Sequence, residues 1–406
     1  MFRRPALAPM VLFTSTMLVL MLGCGGRAPA DGEPAIESRQ AVVAQLSAFA
    51  KVTKASGTWA VDPAYSSGSN ITLTHVDTGS FRVSFPNIGN PVGGDVQVNP
   101  TAAIDDVRCK VQSWSTSGTT RNVNILCFNT VGSAVDIGFV VSFVYRSDTP
   151  GVEGGYVWAY DASNPAYSPI AAGSAYAWNS TGQPINITHH GAAGSGSYTL
   201  QFVGQAFSTV GGGTHGGTVE ITAYGTAPFV FCTVVDWYEA NSDMFVDVQC
   251  WSGQRPIDSQ FTAILSLGSG SLNAGQSPNG TTAFTYAWAN QPTASSYTPD
   301  AYYQQGLIAS DHCGALPTPG PVTIVRHDEG RYWVTFPGMA MPANNVFSKV
   351  HFIVTAYGSS PIYCFPGGLI LDRTPPTLIV TCIGAGGGFA DSYFTVTYST
   401  TQFIIC

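Results

Sequence analysis

Six cysteines fall into three pairs of identical spacing, and this limits what the chain can fold into more than any other feature. Cys109 and Cys127, Cys232 and Cys250, and Cys364 and Cys382 are each 18 residues apart. Every pair sits in the same string of alternating residues, so the chain reads as one module written three times. The second cysteines close runs in which alternate positions are apolar: Val123, Ile125, Cys127; Val246, Val248, Cys250; Leu378, Val380, Cys382. With a period of two, each cysteine points to the core side of its strand. That favours disulfide staples, which persist in exported proteins. Metal ligation is the competing reading, but there is no C-x-x-C and no Cys/His cluster with zinc spacing.

Other landmarks repeat with the cysteines. Modules two and three open Tyr156-Val157-Trp158-Ala159 and Tyr286-Ala287-Trp288-Ala289, with Tyr167 and Tyr297 eleven positions after the opening tyrosine. Module one offers only Trp59-Ala60, with Tyr65 soon after. A glycine then leads strict alternation at Gly79 to Phe85, Gly196 to Phe202 and Gly330 to Phe336, the pattern of half-buried strands. Thr222-Ala223-Tyr224-Gly225 and Thr355-Ala356-Tyr357-Gly358 have no counterpart in module one. Trp114 and Trp237 follow their cysteines, where module three has Leu369. Each module ends with an aspartate before a Phe-led strand: Asp136, Asp258 and Asp391, read as turn caps through local side-chain to backbone hydrogen bonds.

Roughly seven strands per repeat suit an all-β chain of three tandem, disulfide-stapled β-sandwich or small β-barrel modules. These span residues 57–146, 155–268 and 282–406. Their connectors, Arg146 to Gly151 and Ser266 to Asn279, read as flexible, which favours three separate beads. The alternative is a single six-bladed propeller with two blades per repeat.

The first 24 residues read as a signal peptide: Arg3 and Arg4, then an apolar stretch from Met10 to Leu22. Its end, Met21-Leu22-Gly23-Cys24, resembles a bacterial lipobox, making Cys24 the lipidation site; ordinary cleavage near Ala28-Pro29-Ala30 is the alternative. Without Cys24 eight of nine cysteines remain, and Cys313 and Cys406 would form a fourth bond. Residues 25–56 read as a linker or tether, within which Ile36 to Lys54 could form a short helix. The expected address is the bacterial cell envelope, lipid-anchored and facing the periplasm or the extracellular space.

Sixteen Lys and Arg against 24 Asp and Glu, a net charge of −8, argue against a nucleic-acid partner. No G-x-S-x-G, H-E-x-x-H or phosphate-cradling loop is present. Of seven histidines, the most suggestive groups are His189-His190, Asp311-His312 and His327-Asp328-Glu329; none recurs at the same place in all three modules, and His189 and His190, neighbours in a strand, face opposite ways and would not share an ion. No catalytic residue, metal or cofactor is therefore assigned. Trp158, Tyr167, Trp288 and Tyr297 are the candidate ligand-binding residues. Core packing is their first reading; an exposed platform for sugar rings or a protein partner is the second.

The ordered set G-x-[YF]-x-[VL]-x-F, T-A-Y-G, C-x-V-x-x-W, second Cys and D-S-x-F resembles tandem repeats of uncharacterised exported bacterial proteins. The resemblance covers most of residues 57–400 and is weakest in module one. It implies secretion and modular all-β structure, and brings no activity with it. The expectation is a non-enzymatic, membrane-anchored envelope lipoprotein that binds, adheres or builds, with a glycan or protein ligand; the alternative is a secreted polysaccharide-active enzyme.

Overall fold

Alternation becomes strand almost everywhere. The computed structural model describes residues 46–402, apart from positions 69, 91, 103–105, 146–152, 172, 207–215, 268–280, 310–319, 340–347 and 371–373. Cys24, Asp311, His312, Cys313, Cys406, the first connector and most of the second lie outside the described residues. All described strands belong to one compact unit, Val43–Cys406.

Module one holds β1 (Leu46–Ala55), β2 (Thr58–Val61), β3 (Thr72–Asp77), β4 (Ser80–Phe85), β5 (Asp95–Pro100), β6 (Val107–Ser117), β7 (Thr120–Asn129) and β8 (Phe139–Tyr145). Module two starts with β9 (Glu153–Ala159), β10 (Ala166–Tyr167), β11 (Ala177–Asn179), β12 (Ile185–His190) and β13 (Ser197–Phe202). It continues with β14 (Thr218–Tyr224), β15 (Val230–Ala240), β16 (Asp243–Ser252), β17 (Arg255–Pro256) and β18 (Gln260–Leu267). Module three has β19 (Thr281–Ala289), β20 (Ser296–Tyr297), β21 (Gln304–Ala309), β22 (Thr323–Asp328) and β23 (Arg331–Thr335). It ends with β24 (Ser348–Tyr357), β25 (Ile362–Ile370), β26 (Thr377–Gly384) and β27 (Tyr393–Gln402).

One sheet order repeats: β2-β1-β8-β5, β11-β9-β18-β14 and β21-β19-β27-β24. So does a second: β3-β4-β7-β6, β12-β13-β16-β15 and β22-β23-β26-β25. The two sheets of each module enclose their own apolar core, the arrangement of a β-sandwich. Among the described residues no sheet closes into a barrel, and no propeller is seen. The cysteines of each pair lie directly opposite on adjacent antiparallel strands and are bonded. Three formed disulfides indicate an oxidising, non-cytoplasmic compartment.

Module one begins earlier than its sequence suggests. Residues 46–55, expected in the tether and as part of a short helix, are strand β1. Val52 lies opposite Phe139 as Ala159 lies opposite Phe261 and Ala289 opposite Phe394. The true counterpart of Tyr156-Val157-Trp158-Ala159 is therefore Phe49-Ala50-Lys51-Val52, not Trp59-Ala60. The physical reason is two-sided burial. Ala48, Ala50 and Val52 face the module core, while Phe49 stacks on His351 of module three at 5.1 Å, so period two is blurred.

The modules are not separate beads. Gly225 N–H donates to the Val111 carbonyl (2.9 Å), where β14 meets β6 in parallel, and Gly358 N–H donates to Val234 (2.7 Å), where β24 meets β15. A closed cycle of hydrogen bonds then links β5, β14 and β24. Val98 N–H donates to Thr222 Oγ1 (3.1 Å), Ile221 N–H to Thr355 Oγ1 (3.2 Å), and Val354 N–H to Asn99 Oδ1 (2.8 Å). Each module gives to the next and the third returns to the first, which defines a pseudo-threefold axis. Arg108, Phe231 and Tyr363, each just before its module's first cysteine, also converge: the guanidinium lies 4.2 Å and 5.8 Å from the two ring centroids.

Candidate functional site at the module junctions

The repeated aromatics collect where modules meet. Trp114 of module one is buried and packs on module two's Trp158 (5.6 Å), Tyr176 (5.6 Å) and Tyr224 (5.3 Å). Trp237 of module two packs in the same way on module three's Trp288 (5.4 Å) and Tyr357 (5.2 Å), and Tyr303 closes on Trp288 at 4.5 Å. Most of these contacts are edge-to-face, the geometry that ring quadrupoles favour. Each junction thus joins the Trp of C-x-V-x-x-W to the Tyr of the next module's T-A-Y-G. Module three's Leu369 and module one's missing T-A-Y-G together leave the third junction without this ring pair. There Tyr65 packs against Phe352 and takes Lys51 Nζ over its ring at 4.1 Å.

Trp158 and Trp288 are half-buried, so the candidate platform is partly core and partly surface. The indole N–H groups of Trp114, Trp158 and Trp288 are buried without an acceptor among the described residues, whereas Trp237 Nε1 donates to the Gly216 carbonyl at 3.1 Å. Tyr167 and Tyr297 sit elsewhere, on β10 and β20, with hydroxyls that accept from Asp161 N–H (3.1 Å) and Gln291 N–H (3.3 Å). Burial pushes the Tyr297 hydroxyl up to about 12. Tyr160 bridges Trp158 to Tyr167 by ring contacts of 5.7 Å and 5.1 Å; module three has Asn290 at that position, and no such chain forms.

The two junctions differ in charge. At the second, the exposed Asp236 accepts from the Tyr357 hydroxyl at 2.7 Å; burial and then this carboxylate push the phenol up. Asp236 lies opposite Asp247, with Glu239 exposed further along β15 and Asp300 exposed just ahead of Tyr303 in module three. The first junction has Ser113 opposite Asn124, a neutral pair hydrogen-bonded at 2.9 Å. Tyr393, 43% exposed, borders the acidic junction 6.5 Å from Trp288. Tyr238, 41% exposed, stacks on Phe245 at 5.4 Å. The chemistry on offer is stacking with adjacent acceptors.

The three closing aspartates do cap turns, but not locally. Asp136, Asp258 and Asp391 accept from Gly79 N–H (2.7 Å), Gly196 N–H (2.9 Å) and Gly330 N–H (2.8 Å), each in a hairpin some 60 residues earlier. Each also holds a basic partner at one structural position: His75 (2.8 Å), His189 (2.8 Å) or Arg326 (2.7 Å). Comparison of modules by strand register reveals this recurrence, which one-dimensional spacing hides. Ser195 Oγ lies 3.1 Å from His189, giving module two a serine, a histidine and an aspartate together. Both neighbours contact Nε2, however, whereas a nucleophilic triad needs the acid on one ring nitrogen and the hydroxyl on the other. His190 points away to Thr199 Oγ1 at 2.7 Å, as strand alternation requires.

A buried polar ladder between modules had no sequence signal. Gln97 Nε2 donates to Asp95 Oδ1 (2.7 Å) and its carbonyl accepts from Thr222 Oγ1 (2.7 Å); Thr397 Oγ1 donates to Glu220 Oε1 (2.8 Å). These residues alternate with apolar ones in ordinary strands, so only the docking of sheets reveals that both faces are buried. Comparison with protein-family models, curated proteins and solved structures found no match.

Proposed function

We propose that this is a lipid-anchored cell-envelope protein that binds its ligand without turning it over, with the aromatic module junctions as contact surface. The observation that carries this reading is the cluster of half-exposed rings at the acidic junction: Trp288, Tyr357 and Tyr393 beside Asp236. Exposed aromatic edges with adjacent hydrogen-bond acceptors suit the apolar faces and hydroxyl rims of sugar rings, so a glycan is the first ligand class. The lipobox ending at Cys24, the resemblance to exported repeats and the oxidised cysteines support the envelope address. The histidine–aspartate pairs fit turn fixation better than proton transfer.

The soluble protein, residues 43–406, on a glycan array alongside hydrolysis assays on the same sugars tests the reading. Saturable binding without turnover is expected, weakened at least tenfold by Trp288→Ala and by the exposed Tyr393→Ser. Turnover, or binding indifferent to both variants, would overturn it.

A further inference from the structure

Modules two and three each cover one sheet edge that module one leaves open. Leu73, Ile187 and Ile324 are equivalent, lying opposite Val83, Leu200 and Val334. Tyr167 of β10 pairs with Ile187, and Tyr297 of β20 with Ile324. One more bond extends each cap: His189 N–H donates to the Pro165 carbonyl and Arg326 N–H to the Ser295 carbonyl, both at 3.0 Å. His75 holds this position in module one, where β3 ends its sheet and no described strand is paired beyond it, while β2 of the facing sheet runs close to β3 without bonding to it.

The sequence cause is local. β1 turns into β2 through Ser56 and Gly57, both at positive φ (48° and 83°). A two-residue turn of this kind closes a hairpin directly, so the excursion that carries β10 between β9 and β11 has no counterpart. Trp59 of β2 packs on Phe81 at 5.4 Å and seals that end of the core. What is missing is the covering strand. Ile187 and Ile324 are fully buried, but Leu73 is only half-buried and Val76 is 55% exposed. Beside the start of β3 lies a groove of about 270 Å³, with Ile71, Phe85 and Ile88 as apolar lining and Ser67, Asn70 and Asn87 as polar lining.

We propose that the β3 edge and this groove dock an extended peptide of another protein, with the chemistry that caps the sister modules. Those caps read Ala166-Tyr167-Ser168-Pro169 and Ser296-Tyr297-Thr298-Pro299: small residue, tyrosine, hydroxyl residue, proline. The peptide continues the ladder as an antiparallel strand, with its tyrosine over Leu73 and a carbonyl accepting from His75 N–H. Strand addition of this kind takes affinity from main-chain bonds and specificity from alternate side chains. Direction adds a charge preference. The peptide's N-terminal flank meets the acidic end of β3, where Asp77 is exposed and Asp136 sits beside His75, so a lysine or arginine three or four residues before the tyrosine strengthens docking.

A synthetic peptide copying residues 161–170, and a version with lysine in place of Ser163, titrated into residues 43–406 tests this. Saturable binding is expected, tighter for the lysine version and absent when the peptide's tyrosine is glycine. His75→Ala keeps the backbone donor and binds within about threefold of the parent; His75→Pro removes it and weakens binding at least tenfold. Leu73→Ser, which leaves the main chain intact, weakens binding likewise and serves if the proline variant does not fold. No binding at millimolar peptide, or binding indifferent to Leu73→Ser and His75→Pro, overturns the proposal. A concentration-dependent dimer that Leu73→Ser dissolves and the peptide does not also overturns it, because a second copy then occupies the edge.

Discussion

Two buried titratable residues contribute in opposite directions to how stability responds to pH. Burial pushes the Asp95 carboxyl well above its usual range; the Gln97 amide opposes this and Glu220 adds to it. A carboxyl whose pKa is raised on folding stabilises fully below its unfolded value near 3.9, and that contribution disappears as pH rises through the folded pKa. Asp95→Asn keeps the acceptor for Gln97 and removes the titration. Its melting temperature should exceed the parent's at pH 7 to 8, by about 1–2 °C for each kcal/mol regained in a single cooperative unit of this size, and match it near pH 3. His351 works the other way. Burial against Phe49 pushes its imidazole down to about 3, and neither ring nitrogen has a partner among the described residues. Its contribution is complete above the unfolded value near 6.5 and is lost as pH falls from there toward 3. His351→Phe should flatten the acid limb of the melting curve; an unchanged limb would show that other groups control it.

Among the elements, the hairpin that carries each cysteine pair and the glycine-turned hairpin beside it (β3–β4, β12–β13, β22–β23) are the best specified. Gly79, Gly196 and Gly330 have φ near +60° (66°, 61° and 65°), and a Cβ on any of them would lie 2.6 Å from the carbonyl oxygen of the second cysteine. Cys127, Cys250 and Cys382 donate their N–H back to these same glycines at 2.7–2.8 Å. The repeated glycine is thus a packing requirement against the neighbouring hairpin as well as a turn, and it was legible because it precedes the same alternating strand in every repeat. The disulfide completes the hairpin. Closing a loop of 18 residues restrains the unfolded chain by roughly 3 kcal/mol in the entropy model. The double variant Cys232→Ala/Cys250→Ala should unfold at lower denaturant with a similar slope; an equal midpoint would place the stabilisation elsewhere.

For the whole molecule, the cycle through Val98, Ile221 and Val354 makes the three modules interdependent. An excised module would expose Trp237 or Trp114, the T-A-Y-G tyrosine and the polar ladder to water. Residues 43–406 should therefore melt in one calorimetric transition, while residues 153–267 alone should not fold cooperatively. Three transitions, or a stable single module, would restore the picture of beads. The sequence by itself undercounted the strands, roughly seven per repeat against the eight, ten and nine described, but it determined most of them, the cysteine pairing and the glycine turns. Each of these depends on a residue's neighbours within one hairpin. Only the tertiary structure decided that the modules close on one another, that T-A-Y-G and its tryptophan partner are one junction motif, and that β3 lacks its cap. These follow from which sheet faces meet across module boundaries, and alternation is blind to the partner: a strand buried on one face and a strand buried on both carry nearly the same residues. The cysteine pairs hold each module together, while the surfaces that distinguish one module from another come from how the three are joined.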